Sequence, residues 1–179
     1  YGRVEINREK GFSFSCDLEA ETIVYGLGEA NRGINKRGYR YISNNTDIPH
    51  HHEDTYSLYA AHNFIIVAGE ETFGLYIDYP SSLTFDIGYT RSDRLHIFCE
   101  RADLDLYVIT GDTPYDITKQ FRKVIGRSYI APKFAFGFGQ SRWGYKTPED
   151  FITVVKKYRE NHIPIDTVYM DIDYMDNYK

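Results

Sequence analysis

The chain has 179 residues, room for one domain or for one domain and part of a second, and carries a formal net charge of −5. Its 21 Lys and Arg are scattered and outnumbered by 26 acids, which excludes the basic footprint of a nucleic-acid binder. No stretch approaches the ~18 consecutive apolar residues of a membrane-spanning helix, and Cys16 and Cys99 form neither a disulfide framework nor a zinc motif. Free buried thiols and no visible signal peptide point to a reducing, cytoplasmic compartment. A start at Tyr1 rather than Met, and an end three residues after Asp176, are what a piece of a longer polypeptide would show.

Residues 1–110 read as strands almost throughout. Arg3 to Asn7, Phe12 to Cys16 and Arg94 to Phe98 alternate apolar and polar side chains. Further strands are expected over Thr22–Tyr25, Tyr39–Ser43, Phe64–Ala68, Gly74–Asp78, Leu83–Ile87 and Leu104–Ile109, separated by turn residues at Gly69, Tyr79 to Ser82, Gly88 and Gly111. Many short strands at near-regular spacing predict an antiparallel β-sandwich, with one face of each sheet in solvent. The 17 tyrosines and 11 phenylalanines suit such pleated, half-buried surfaces, and aromatic rings also stack on sugars.

A helix is predicted from Thr113, which can cap, with Pro114 at its first position and Gly126 as its stop. Ile117, Phe121, Val124 and Ile125 make its apolar face. It closes a first domain over residues 1–127, and the joint follows at Ser128 to Lys133. The pattern then changes to strand, helix, strand. Phe134 to Gly139 is a uniformly apolar run leading into Gln140, Ser141, Arg142 and Trp143. A helix capped by Thr147 follows, with Pro148, Glu149 and Asp150 in its first turn and a stripe of Phe151, Val154, Val155 and Tyr158. Asn161 to Pro164 ends it, with His162 in the closing turn. Ile165 to Met170 is the second apolar run, stopping at Asp171-Ile172-Asp173-Tyr174-Met175-Asp176. Strands joined by a crossover helix are parallel, so Trp143 and Asp171 are expected at one sheet edge, where α/β folds bind ligands. Residues 128–179 are too few to complete such a sheet.

Carboxylates directly after an apolar strand need a use, because a desolvated charge is costly unless bonded or wet. Asp171-x-Asp173 could open a phosphatase, although Tyr174-Met175 stands where such enzymes carry a Thr or Val turn. A calcium loop fits less well, since Met175 and Asp176 break the order of oxygen ligands. Sugar recognition is a third use, and a salt-bridged strand end a fourth. His50-His51-His52 with Glu53 and Asp54 invites a metal reading, but adjacent side chains of an extended loop alternate in direction. No metal and no cofactor are expected. Gly26-Leu27-Gly28 lacks the third glycine of a dinucleotide fingerprint.

Four segments in order narrow these choices: Tyr25-Gly26-Leu27-Gly28-Glu29, Asn45-Thr46-Asp47-Ile48-Pro49-His50, Phe138 to Tyr145, and Tyr169 to Met175. Together they resemble glycoside hydrolase family 31, the α-glucosidase family. The resemblance implies a mostly β chain, an N-terminal antiparallel β-sandwich over 1–127 leading into the opening β-α-β of a catalytic (β/α)8 barrel over 128–179. It implies a small oligosaccharide substrate of maltose or isomaltose type. Asp171 matches the carboxylate that bonds hydroxyls of the non-reducing glucose, and Ile172 the apolar residue lining that pocket. Trp143 matches an aromatic near the entering sugar. Asp47 matches a sandwich loop that in the family reaches over the barrel mouth, while Asp173 and Asp176 orient their loop.

The family's nucleophile and acid/base are aspartates on later strands, and no segment here matches either. Residues 1–179 are therefore expected to be inactive alone, and to act with the remainder of the same polypeptide. The rival reading is a carbohydrate-binding or structural sandwich whose parent has lost catalysis. The apolar flank of an unfinished barrel also allows a homo-oligomer.

Overall fold

A computed structural model describes residues 2–7 and 11–179. Its backbone divides into two compact units, one ending at Arg127 and one spanning Ser128–Lys179. Tyr1, on which the expectation of a trimmed start rests, lies outside the described residues.

In the first unit the strands are β1 (Arg3–Asn7), β2 (Gly11–Asp17), β3 (Ile23–Gly28), β4 (Tyr39–Ser43), β5 (Ala61–Ala68), β6 (Thr72–Asp78), β7 (Leu83–Ile87), β8 (Arg94–Cys99) and β9 (Asp105–Thr110). They form two antiparallel sheets, ordered β1-β2-β8-β7-β4 and β3-β5-β6-β9. The alternation read from sequence sets the core. Phe12, Phe14 and Cys16 point inward from β2, opposite Cys99, Ile97 and Leu95 of β8, and meet Ile65, Val67, Leu75 and Ile77 of the other sheet. Each such side chain contributes roughly 1.5–3 kcal/mol when fully buried. The expected antiparallel sandwich is borne out.

One expectation needs correcting. The second sheet is only partly solvated on its outer face, because α1 (Pro114–Ile125) lies across β5, β6 and β9. Ile117, fully buried, packs with Ile66 and Ile109. Phe121 stacks on Phe64 at 3.8 Å and meets Tyr76 edge-on at 5.2 Å. Strand β5 is thus covered on both sides, which is why Phe64 to Val67 is continuously apolar rather than alternating. Gly74 sits under the helix, where an added Cβ would come within 2.5 Å of Ile117 Cγ2. The helix begins as predicted, with Thr113 Oγ1 accepting from the Asp116 N–H at 3.2 Å. Its apolar face is shorter than expected, since Val124 and Ile125 are exposed.

A buried carboxylate joins β7 to β4. Asp86, 4% exposed, stands opposite Arg40 in the ladder and accepts from its guanidinium at 3.0 Å. It also accepts from the Thr90 hydroxyl at 2.6 Å and from the Tyr89 and Thr90 N–H groups at 3.1 and 3.0 Å. Burial alone would raise its pKa, but the bonds from Thr90, Arg40 and Tyr89 outweigh burial and hold it below the ordinary carboxylate range.

The second unit contains β10 (Gly139–Ser141), α2 (Pro148–Glu160) and β11 (Thr167–Tyr169), with β10 and β11 parallel. Helix α2 opens with a capping box: Thr147 Oγ1 accepts from Asp150 N–H, and Asp150 accepts from Thr147 N–H at 2.9 Å. It ends in a Schellman turn, with His162 at φ 56° and the Ile163 N–H returning to the Tyr158 carbonyl at 2.9 Å. The strands are shorter than the apolar runs suggested. Lys133–Phe136 is a 3-10 turn, not part of a strand. The register Gly139↔Thr167, carried back along both chains, sets Phe134 to Gly137 against the turn that closes α2. That turn offers no ladder, so pairing starts only at the Phe138 carbonyl, which accepts from Asp166 N–H at 2.9 Å. Nor are these aromatics buried: Phe134, Phe136 and Phe138 are 56%, 77% and 47% exposed.

Candidate functional site

Two places carry the residues singled out from sequence, one in each unit. In the second unit, Gly139, Gln140 and Ser141 pair with Thr167, Val168 and Tyr169. Trp143 and Asp171 each follow two residues after the last pair, so both leave the same edge of the sheet. Gln140 stiffens this edge. Its Oε1 accepts from the Tyr158 hydroxyl at 2.6 Å, and its Nε2 donates to the Ser141 carbonyl at 2.9 Å. Gly144, at φ 111°, turns the chain directly after Trp143, and Tyr145 is buried against Phe151 with ring centroids 5.2 Å apart.

Asp171 caps the 3-10 turn Ile172–Tyr174, its Oδ1 accepting from the Ile172 N–H at 2.7 Å. Trp143 is 69% exposed and Ile172 is 49% exposed. Asp173 and Asp176 bond within their own loop, to the Tyr178 hydroxyl at 3.4 Å and the Asn177 amide at 3.0 Å. A partly exposed carboxylate, an open indole and an aliphatic side chain leaving one sheet edge are groups that suit a polyhydroxylated ring, bonded at its hydroxyls and stacked on its apolar face.

The first-unit place is the irregular segment 44–60 between β4 and β5, long enough that its order needs explaining. Side chains supply it. Arg32 donates to the carbonyls of Arg40, Glu53 and Asp54 at 3.1, 3.3 and 3.0 Å, and its guanidinium lies 4.1 Å from the Tyr39 ring centroid. Asn45 Oδ1 accepts from Ala61 N–H at 2.9 Å, and Thr46 N–H donates to the Leu58 carbonyl at 2.8 Å. Asp47, exposed, accepts from the Tyr59 hydroxyl at 2.9 Å. The Tyr59 N–H in turn donates to Glu29 Oε2 at 3.1 Å. The bond to Asp47, then partial burial, then the charges of Asp47 and Glu29 push the Tyr59 phenol above its ordinary value.

Gly26-Leu27-Gly28 finds its use here. These residues have φ of 121°, 70° and 77°, and the β3–β5 register shifts between the two glycines. A Cβ on Gly26 would lie 2.2 Å from the Phe64 carbonyl oxygen. The bulge re-aims the end of β3, carrying Glu29 to the 44–60 segment. His50 and His52 are exposed, and His51, also exposed, has its Nδ1 3.1 Å from the Ile48 carbonyl. Among the described residues, no three His, Cys, Asp or Glu side chains converge as a metal site would need.

Sequence reasoning passed over Arg32, Glu29 and Tyr59. Glu29 lay inside a recognised segment, but its partner did not, and one tyrosine among 17 carries no signal of its own.

Residues 128–179 match the family profile described as the glycosyl hydrolases family 31 TIM-barrel domain. Residues 4–86 match the glycosyl hydrolase 31 N-terminal galactose mutarotase-like domain. Alpha-glucosidase 2 of Bacillus thermoamyloliquefaciens is 34% identical over 157 residues, covering 87% of this chain and 20% of that protein. The alpha-glucosidase of Saccharolobus solfataricus is 27% identical over 166 residues, covering 92% of this chain and 24% of its own length. The chain thus spans a quarter or less of these curated relatives. A solved structure of a Flavobacterium johnsoniae GH31 dextranase complexed with isomaltotriose aligns with a TM-score of 0.84 at 24% identity, over 95% of this chain and 21% of that one.

Proposed function

Because the chain belongs to glycoside hydrolase family 31, we propose that it forms the opening part of a retaining α-glucosidase releasing terminal α-linked glucose from small oligosaccharides. The observation that carries this reading is the parallel register of β10 and β11, from whose common edge Trp143 and Asp171 both depart. Curated relatives named α-glucosidases support the activity, and the isomaltotriose and isomaltose in the structural neighbours support an α-linked glucose oligomer as substrate. Against that family, the phosphatase reading of Asp171-x-Asp173 has no support.

In this reading Asp171 accepts hydrogen bonds from two adjacent hydroxyls of the terminal glucose. Ile172 lines the same pocket and Trp143 meets the entering sugar; in the first unit, taken by itself, the exposed carboxylate of Asp47 is an acceptor for a sugar hydroxyl. Bonds from ring hydroxyls to Asp171 that tighten as the sugar flattens toward an oxocarbenium ion favour the transition state over the bound substrate. Hydrolysis with retention also needs two carboxyls ~5–5.5 Å apart, one as nucleophile and one as acid/base. None of these four residues fills either role; both come from the polypeptide outside residues 1–179.

Asp171→Ala in the intact enzyme tests the assignment. Two charge-assisted hydrogen bonds, each worth ~1.5–3 kcal/mol, predict a loss of about 10²- to 10⁴-fold in kcat/KM on p-nitrophenyl α-glucoside. Turnover near normal removes Asp171 from the site. Faster turnover of the α-xyloside than of the glucoside overturns the choice of sugar.

A further inference from the structure

We infer that Tyr59, held in place by Glu29, is the positioning residue that fixes Asp47 for sugar binding, an inference that rests on Asp47 acting as a hydroxyl acceptor. Asp47 is exposed, on a segment with no regular structure. Such a carboxylate turns freely between rotamers, and ordering it on substrate binding would cost affinity. The Tyr59 hydroxyl removes that freedom by donating to Oδ1 at 2.9 Å. Among the described residues nothing hydrogen-bonds Oδ2, so that oxygen remains to accept from a ligand hydroxyl.

Tyr59 is itself held from two sides. Its N–H donates to Glu29 Oε2 at 3.1 Å, and the Glu29 N–H donates to the neighbouring Ala60 carbonyl at 2.8 Å. Glu29 comes from the bulged end of β3, so a glycine-enforced kink in one strand fixes a tyrosine 30 positions on. Thr46 is tied from the other side, its hydroxyl donating to the Ser57 carbonyl at 2.9 Å. Asp47 is therefore bracketed by a tied neighbour and a hydrogen-bonded side chain. The same bond raises the phenol's pKa, so Tyr59 stays protonated and donating throughout the neutral range.

The test uses Tyr59→Phe, Asp47→Asn and the double variant in the intact enzyme, with maltose and isomaltose as substrates. Loss of one hydrogen bond of ordinary strength predicts a three- to tenfold rise in KM for Tyr59→Phe, with kcat within about twofold. In the Asp47→Asn background Tyr59→Phe should change KM no further. The Tyr59 titration, followed by the ¹³Cζ resonance, should move to lower pH in Asp47→Asn, whether or not the enzyme turns over. If Asp47→Asn leaves KM unchanged, the role of Asp47 in binding fails. If Asp47→Asn raises KM but Tyr59→Phe does not, or the two effects simply add, the positioning role fails. An unmoved Tyr59 titration overturns the bond itself.

Discussion

Asp86→Ala is the perturbation whose cost can be worked most fully from the structure. The carboxylate is 4% exposed and accepts from Thr90 Oγ1, Thr90 N–H, Tyr89 N–H and the Arg40 guanidinium. Arg40, with 41% of its side chain exposed, can turn to water after truncation, so its share of the loss is small. The two backbone donors of the β7–β8 turn have less freedom, and each costs ~1–3 kcal/mol if left without an acceptor. The expected loss is about 2–4 kcal/mol, read by urea unfolding and localised by hydrogen exchange of the β4 and β7 amides. The pH dependence follows from the depressed folded pKa. The contribution of Asp86 is complete above the ordinary carboxylate value of 3.8 and is lost as pH falls through the lower folded value. The stability gap between the parent and Asp86→Ala should therefore be flat from pH 8 to pH 5 and narrow on further acidification. A gap under about 0.5 kcal/mol at pH 7, or one that widens in acid, would refute the reasoning.

Gly26→Ala should lower stability by more than about 2 kcal/mol, since it adds a positive-φ penalty to a backbone clash; the added Cβ would be 2.2 Å from the Phe64 oxygen. Gly33→Ala, with nothing within 4 Å of its Cβ, is the matched control and should leave the melting temperature within a degree or two. If Trp143 meets the entering sugar as proposed, Trp143→Tyr in the intact enzyme should change the ratio of maltose to isomaltose turnover, because a smaller ring widens the approach. An unchanged ratio takes Trp143 out of linkage choice.

What could be read in advance was whatever a few neighbouring residues encode together. Thr113-Pro114 and Thr147-Pro148 announced both helices, because a cap and its first turn lie within four residues. Alternation in Phe12 to Cys16 and in Arg94 to Phe98 fixed which side chains face the core, since a strand turns one face inward by its own pleat. The edge shared by Trp143 and Asp171 was legible too, because a helix between two short strands makes them parallel. Misreadings came where a second element decided the outcome. Phe134 to Gly137 is apolar enough for a strand, but its potential partner is the closing turn of α2, so no ladder forms there. Phe64 to Val67 marked a strand without revealing that α1 covers its outer side.

The amino-acid order alone determined the sandwich, the strand–helix–strand that follows it, and the family to which the motifs point, since each is written in short-range periodicity and turn chemistry. Only the folded chain decided that Asp86 answers Arg40 across 46 positions, that the bulge at Gly26 and Gly28 carries Glu29 to Tyr59, and that Tyr59 holds Asp47. Those pairings leave no local trace. A hydroxyl or carboxylate selects its partner by distance and angle, and such distances exist only after the sheets have closed on their core.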